Sequence, residues 1–515
     1  MKGLTLPHNI PVPVFVVCAA LTLAFLFLEG MTSPLNHDED HYLAGAVMAK
    51  DHAIYQGFTY SAMPLHPMIM GAYLRLVPTE YPFWHFRAAS ALLMALGGLF
   101  LFLAVRHTTR NDTVSLILTA FLLFNTLVLY STNGLISCHI PALTFALGGA
   151  WALQHALLER SRAWAALCGA FFCLAAGFKL YYFLLLPELL VLFYFVHPGG
   201  ESPKQRLRLG AAYVIGTLPA GLPTLWVFFH DPHAFMFNNY IFHQYNTAWR
   251  IAIGDLGRIS LSSRVGYTLE KLGYTGNAAI AITLIALAIG LGRTGLVQRF
   301  KAPNALPLVW AIVAITATIG CMLPRPMHLH YLVFPLPFYI LLAASLYPAL
   351  EASRLRSVHI ALTICALVVL VSGGRYLFQE GLTGLAPARW IPTTVHHEAR
   401  AMATALAHHP EPHLVSTLSP LLVVEAGLPF DQAFSGSAFF YRVGDVIPAD
   451  VQQQLGLVQD GHGLDHLESL MPAAILTGFE ADHEHEFLAF AAKHGYAPWH
   501  TPILGQGVLY LRPVN

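Results

Sequence analysis

Three consecutive carboxylates, Asp38, Glu39 and Asp40, stand in the run Asn36-His37-Asp38-Glu39-Asp40-His41-Tyr42. Like charges this close repel one another, so the cluster costs stability unless each acid has a use. Asp38 is able to cap a helix that runs on through Tyr42, Ala46 and Ala49. That accounts for one acid and not for three. The chemistry open to such a cluster is proton abstraction. A transferase that joins an acceptor hydroxyl or amine to a sugar needs a carboxylate to take the proton as the bond forms. His37 and His41 lie four residues apart with acids between them, which is also the spacing of two metal ligands on one helical face. Histidine is frequent here, 27 in 515 residues, so this pairing is a weak signal. The expectation is no cofactor, with a divalent metal at His37 and His41 as the alternative. The six cysteines stand in or beside apolar runs with no CxxC pair, and read as small buried hydrophobes.

The elements that must hold this cluster are membrane helices. The chain is 56% hydrophobic and 11% charged, where a soluble chain carries about 25% charged residues. A spanning helix needs about 20 mostly apolar residues. Eleven such segments are expected: 11–29, 84–105, 114–131, 140–157, 163–178, 180–197, 209–229, 275–292, 306–323, 330–350 and 358–374. The fifth and sixth form one long apolar run broken near Lys179, so they are two spans or one. No small-residue cleavage site follows the first apolar run, so it reads as a span and not as a cleaved signal.

Charge asymmetry gives the topology. With the N-terminus inside, the short inner segments hold Lys2, Arg106, Arg110, Arg160, Arg162, Lys204, Arg206, Arg208, Arg293, Arg299, Lys301, Arg354 and Arg356. The short outer loops at 132–139 and 324–329 hold only Arg325. This predicts a membrane module over 1–374, with large outer loops at 30–83 and 230–274. Residues 375–515 have a soluble composition. Apolar runs at 414–418 and 473–476 read as strands, and 395–408 and 484–494 as helices, giving a small outer α/β domain. Its scattered histidines read as solvated, and no chemistry is assigned to it. Lys+Arg and Asp+Glu are both 28, which points to no nucleic-acid partner.

Further polar residues fall on the same outer side. Lys179, in Gly177-Phe178-Lys179-Leu180-Tyr181-Tyr182, is an intramembrane lysine and so a functional candidate, with snorkelling to the interface as the other reading. Arg325 breaks the inside-positive pattern and needs an anionic partner, either a structural acid or a lipid phosphate that suits its planar fork of donors. The stretch 237–250 mixes aromatics with amides, including Asn239, Tyr245 and Arg250. Rings beside hydrogen-bonding groups suit a sugar face, and aromatics also belt any membrane interface. The run from Tyr60 through Pro64 to Leu76 is too short to span and reads as an amphipathic helix on the outer surface.

An Asp-Glu pair after the first helix, an aromatic a few residues on and a Pro-containing amphipathic helix together resemble the GT-C glycosyltransferases. The pattern is similar to the bacterial dolichyl-phosphate-mannose-protein-mannosyltransferase-like proteins and the lipid A aminoarabinose transferases. The resemblance covers about 11–375; the tail only loosely resembles the periplasmic domains of such proteins. It implies a mainly α, polytopic GT-C-like fold, with Asp38 as catalytic base, Glu39 as its neighbour, and Tyr42 as an aromatic of the same helix. It implies that Lys179, Arg325, His330 and Tyr331 meet the donor phosphate, and the loop 230–274 adds Arg250 as a candidate second contact. Asp40, His41, Tyr60, Asn239 and Tyr245 join Tyr42 as sugar or acceptor contacts. One departure is that Asn133-Gly134-Leu135-Ile136-Ser137-Cys138-His139 lacks the acid found there in several members, which favours a metal-independent mechanism.

The expected function is therefore an inverting transferase. It would move a sugar from a polyprenyl-phosphate-linked donor to a glycan, lipid or protein acceptor at the periplasmic face of a bacterial inner membrane, among membrane lipids. Two alternatives stand beside it: a transporter or flippase, and a non-catalytic scaffold on the same fold. The strong polar groups sit at the outer edge and not at mid-membrane, which weighs against transport.

Overall fold

The computed structural model describes residues 9–196, 202–301, 306–379, 384–409 and 411–513. Lys2, used above for orientation, and residue 197, the expected end of the sixth span, lie outside these. Among the described residues, seven helices are long and apolar enough to cross a bilayer: Val12–Thr32, Pro82–Thr109, Asp112–Ser131, Pro203–His230, Thr275–Phe300, Leu329–Ala349 and Ala352–Arg375. Three shorter apolar helices, Arg162–Phe178, Leu180–Phe195 and Leu306–Cys321, and the 21-residue helix His139–Glu159 complete the set. Each coincides with one of the eleven expected segments. The run at 163–197 is broken at Lys179, which has extended dihedrals between a helix and a 3-10 turn. The bundle packs closely where small residues meet. A Cβ on Gly216 would lie 1.8 Å from the Ala166 carbonyl oxygen, and one on Gly169 would lie 2.1 Å from that of Tyr213. Only glycine allows these backbones to approach, the usual device between membrane helices.

For the site, α1 is Val12–Thr32, α2 is His37–Asp51, α3 is Leu65–Leu76 and α4 is Pro82–Thr109. Helix α2 starts at Asn36, whose side chain accepts the Asp38 N–H at 2.9 Å while Glu39 Oε2 accepts the Asn36 N–H at 3.2 Å. This is a capping box, so Asn36 and not Asp38 caps the helix. The amphipathic α3 lies against α2, with Gly71 over the backbone of Ala49 and Lys50. It buries Leu65, His66 and Leu74 and leaves Ile69 and Leu76 exposed.

The C-terminal unit holds a four-stranded sheet: β1 Val415–Ser416, β2 Ala474–Thr477, β3 Ala497–Ile503 and β4 Gly507–Leu511, in the order β1-β2-β4-β3. β1 and β2 are parallel and the other pairs antiparallel. The two expected strands and two expected helices are present, the helices as Ile391–Leu406 and His485–Lys493. The β3–β4 hairpin is an addition. This unit does not close its core alone. Val395, Met402, Leu421, Val423 and Leu476 share one apolar cluster with Tyr42, Leu43, Met48, Phe83 and Phe86.

Candidate active site

Successive residues on an α-helix point about 100° apart, and the three acids of α2 consequently have three destinations. Asp38 faces a cavity of about 630 Å³ at one end of the bundle. Glu39 turns inward to Arg87 of α4: Arg87 Nε donates to Oε1 at 2.9 Å and Nη2 to Oε2 at 2.6 Å, with the Ile136 N–H on Oε1 at 3.0 Å. Arg87 uses its other donors on the carbonyls of Gly30, Ser33 and Pro34. Glu39 is thus sealed away from any substrate, a correction to its expected place beside Asp38 in the chemistry. Asp40 turns to the C-terminal unit, where Oδ1 accepts the Leu421 N–H at 2.9 Å.

Asp38 keeps 32% of its side-chain surface open, and His37 Nε2 lies 3.2 Å from its Oδ1. Burial alone would raise the Asp38 carboxyl. The hydrogen bond and charge of His37 outweigh it and hold the group below the usual carboxylate range, while His37 is raised in return. His41 also lines the cavity, stacked on Tyr60 with ring centroids 4.5 Å apart and Nε2 3.3 Å from Ser61 Oγ. Burial pushes its pKa down to about 3, so it is a neutral ring. Tyr42 lines the cavity beside it, its hydroxyl 3.1 Å from Cys138 Sγ.

The opposite walls are basic. Lys179, Arg250, Arg258 and Arg442 all line the cavity, with His330 and Tyr331. Lys179 Nζ lies 5.5 Å from the centre of the Tyr331 ring. Arg250 is on the helix Phe242–Ala252, where Phe242, Asn246 and Arg250 follow one another at four-residue steps and form the cavity face. Arg250 Nη1 pairs with Asp255 at 2.5 Å and its Nε is buried without a partner. Arg442 comes from the C-terminal unit, over the rings of Trp249 at 5.1 Å and Phe439 at 4.9 Å, and its Nε is also unpartnered. Burial and the charge of Arg250 push it down to about 10, so it stays charged at neutral pH. Phe439 covers the cavity edge-on to His37 and His41. Among the carboxylates, Glu29 also borders the cavity, bonded to Ser33 and Asn133. Four cations against two carboxylates make the cavity a place for an anion.

Asp40, turned to Leu421, is one of five expected contacts that lie off the cavity. Arg325 is exposed and off the cavity, its carbonyl bonded to Thr247 Oγ1 at 2.6 Å. Tyr60 is fully buried beneath His41, with its hydroxyl 3.2 Å from His66 Nδ1. Asn239 spends its amide on Tyr55 and the Phe235 carbonyl, both at 2.9 Å. Tyr245 packs on the cluster of Phe237, Phe242 and Phe440. Sequence reasoning missed Arg258, Arg442, Phe439, Asn246, His139, His243 and His328. Among the described residues, His37 and His41 join no group of three metal-ligating side chains; such groups lie at His107, His155 and Glu159 and at Asp460, His485 and Glu486.

A sequence model of the family described as dolichyl-phosphate-mannose-protein mannosyltransferase matches residues 61–226. Comparison with curated proteins gives no match. Two crystal structures of ArnT from Cupriavidus metallidurans are similar over nearly the whole length. The one bound to undecaprenyl phosphate is 17% identical with a TM-score of 0.59, and the apo one is 16% identical with a TM-score of 0.61. Both alignments cover 97% of this chain and 97% of the other. The mainly α, polytopic fold expected from the motifs is therefore present, and this chain is a membrane protein with the fold of the two ArnT structures.

Proposed function

We propose that the chain is an inverting glycosyltransferase of the bacterial inner membrane, working at the periplasmic face with its N-terminus in the cytoplasm. The observation that carries this reading is the cavity itself: one ionised carboxylate, Asp38, faces Lys179, Arg250, Arg258 and Arg442 across a single space. The similarity to ArnT, solved with undecaprenyl phosphate, supports a polyprenyl phosphate as the sugar carrier.

In this mechanism the basic wall binds the phosphate of the donor. An acceptor hydroxyl or amine attacks the anomeric carbon from the face opposite the phosphate. The bond from that carbon to the phosphate oxygen breaks, and its electron pair leaves with the phosphate. Lys179 and the arginines stabilise the charge that develops there. Asp38 takes the acceptor proton. A carboxylate held this far below neutrality is a weak base in the free protein, and a bound phosphate nearby raises it toward the useful range. Tyr42, His41 and Phe439 offer flat faces to the sugar or acceptor.

The test uses purified protein in proteoliposomes with labelled polyprenyl-phosphate sugars and candidate acceptors. A glycosylated product of inverted anomeric configuration supports the reading. Solute movement across the vesicle without any glycosyl product overturns it in favour of transport.

A further inference from the structure

A second cluster of chemistry-bearing residues sits at the other end of the bundle. Helix His139–Glu159 begins at the cavity, since His139 lines it, and ends 20 residues later at Glu159. At 1.5 Å per residue that is about 30 Å, the thickness of a bilayer core. In its last turns His155 and Glu159 stand four residues apart, with Nδ1 2.5 Å from Oε1. His107, from the last turn of α4, brings its ring to 4.1 Å from that of His155. One donor atom from each of His107, His155 and Glu159 lies within 4.8 Å of the others.

We propose that His107, His155 and Glu159 form a divalent metal site that joins α4 to the helix His139–Glu159 at the end away from the cavity. Two imidazole nitrogens and one carboxylate oxygen are a donor set that zinc accepts, with water in the fourth position. His155 and Glu159, one helical turn apart, and His107 from the neighbouring helix close on an ion by side-chain rotation, which replaces the His155–Glu159 hydrogen bond. The rings are held in place. Trp164 stacks on His155 at 4.5 Å and 22°, and Trp151 meets it edge-on at 5.4 Å. Arg106, close in sequence, is already paired with Asp112 at 2.6 Å. Harder cations such as magnesium prefer all-oxygen ligands and are not matched by this set.

The experiment uses tag-free full-length protein in detergent, loaded with Zn²⁺, desalted and assayed for metal content, with Co²⁺ as a spectroscopic probe. The expected result is one retained zinc per chain and the visible bands of tetrahedral cobalt. Both should be lost in His155→Ala and in His107→Gln, with Glu159→Gln weakening Co²⁺ binding more than about tenfold. Size-exclusion profiles show whether each variant is folded, and Glu159→Gln, the most exposed of the three, serves if the histidine variants are not. Failure to retain zinc, or zinc retained equally by wild type and the folded variants, overturns the proposal.

Discussion

Glu39 and Arg87 form a two-point ion pair, at 2.6 and 2.9 Å, with neither side chain open to solvent. Apart from the Ile136 N–H on Glu39 Oε1, the remaining hydrogen-bond partners of the pair are backbone groups near the start of α2 or the end of α1. The pair therefore holds the helix that carries Asp38. Breaking one partner of a buried pair costs about 3–5 kcal/mol, because the other charge is left uncompensated. Glu39→Gln is expected to lower the thermal midpoint and the yield of folded protein. Refolded or rescued Glu39→Gln protein should still bind donor; loss of donor binding in folded protein would place Glu39 in the chemistry after all.

The basic wall gives a contrast between two positions that look alike in sequence. Lys179 lines the cavity and Arg325 does not. A hydrogen bond to a charged group contributes about 1.5–3 kcal/mol, or about ten- to a hundredfold in affinity. Lys179→Ala and Arg442→Ala are each expected to weaken binding of a polyprenyl phosphate by that factor, measured by titration in detergent. Arg325→Ala is expected to leave it within about twofold. A large loss at Arg325 with none at Arg442 would contradict the assignment of the wall.

The membrane part of the fold was legible because a bilayer demands long apolar runs, and these are written in local composition. The destinations of the three acids were not. Two of them depend on partners distant in sequence, Arg87 for Glu39 and Leu421 for Asp40, and no local pattern reports such a pairing. Arg442 was hidden for the same reason: its segment reaches the cavity by packing Phe440 and Val443 on Phe237 and Phe242, far earlier in the chain. The face of Phe242, Asn246 and Arg250 was open to reading. Its four-residue period marks a helix face, of which the sequence reading named Arg250 but took Asn239 and Tyr245, and not Asn246, as its companions.

The short helix Leu421–Glu425 docks the C-terminal unit by two carboxyls. Asp40 holds the Leu421 N–H, and Glu425 accepts the Phe83 N–H at 3.0 Å and meets His396 at 2.9 Å. Burial pushes both Asp40 and Glu425 up to about 8. A carboxyl raised above its unfolded value of about 4 contributes its stability in full below that pH. The contribution falls away as pH rises through about 8. Hydrogen exchange at 421–425 should therefore quicken, and the thermal midpoint fall, as pH rises from about 6 to 9. Asp40→Asn with Glu425→Gln should flatten that slope. An unchanged slope in the double variant would remove these two groups from the docking.

Asp38 as the proton acceptor is the centre of the account. The most direct measurement is the single-turnover rate of sugar transfer from a labelled polyprenyl-phosphate donor by wild type and by Asp38→Asn, both shown to be folded and to bind donor. A positioned general base contributes about 10²–10⁴-fold. A loss of that size is expected in Asp38→Asn with donor affinity retained, whereas transfer at the wild-type rate would remove Asp38 from the proton transfer.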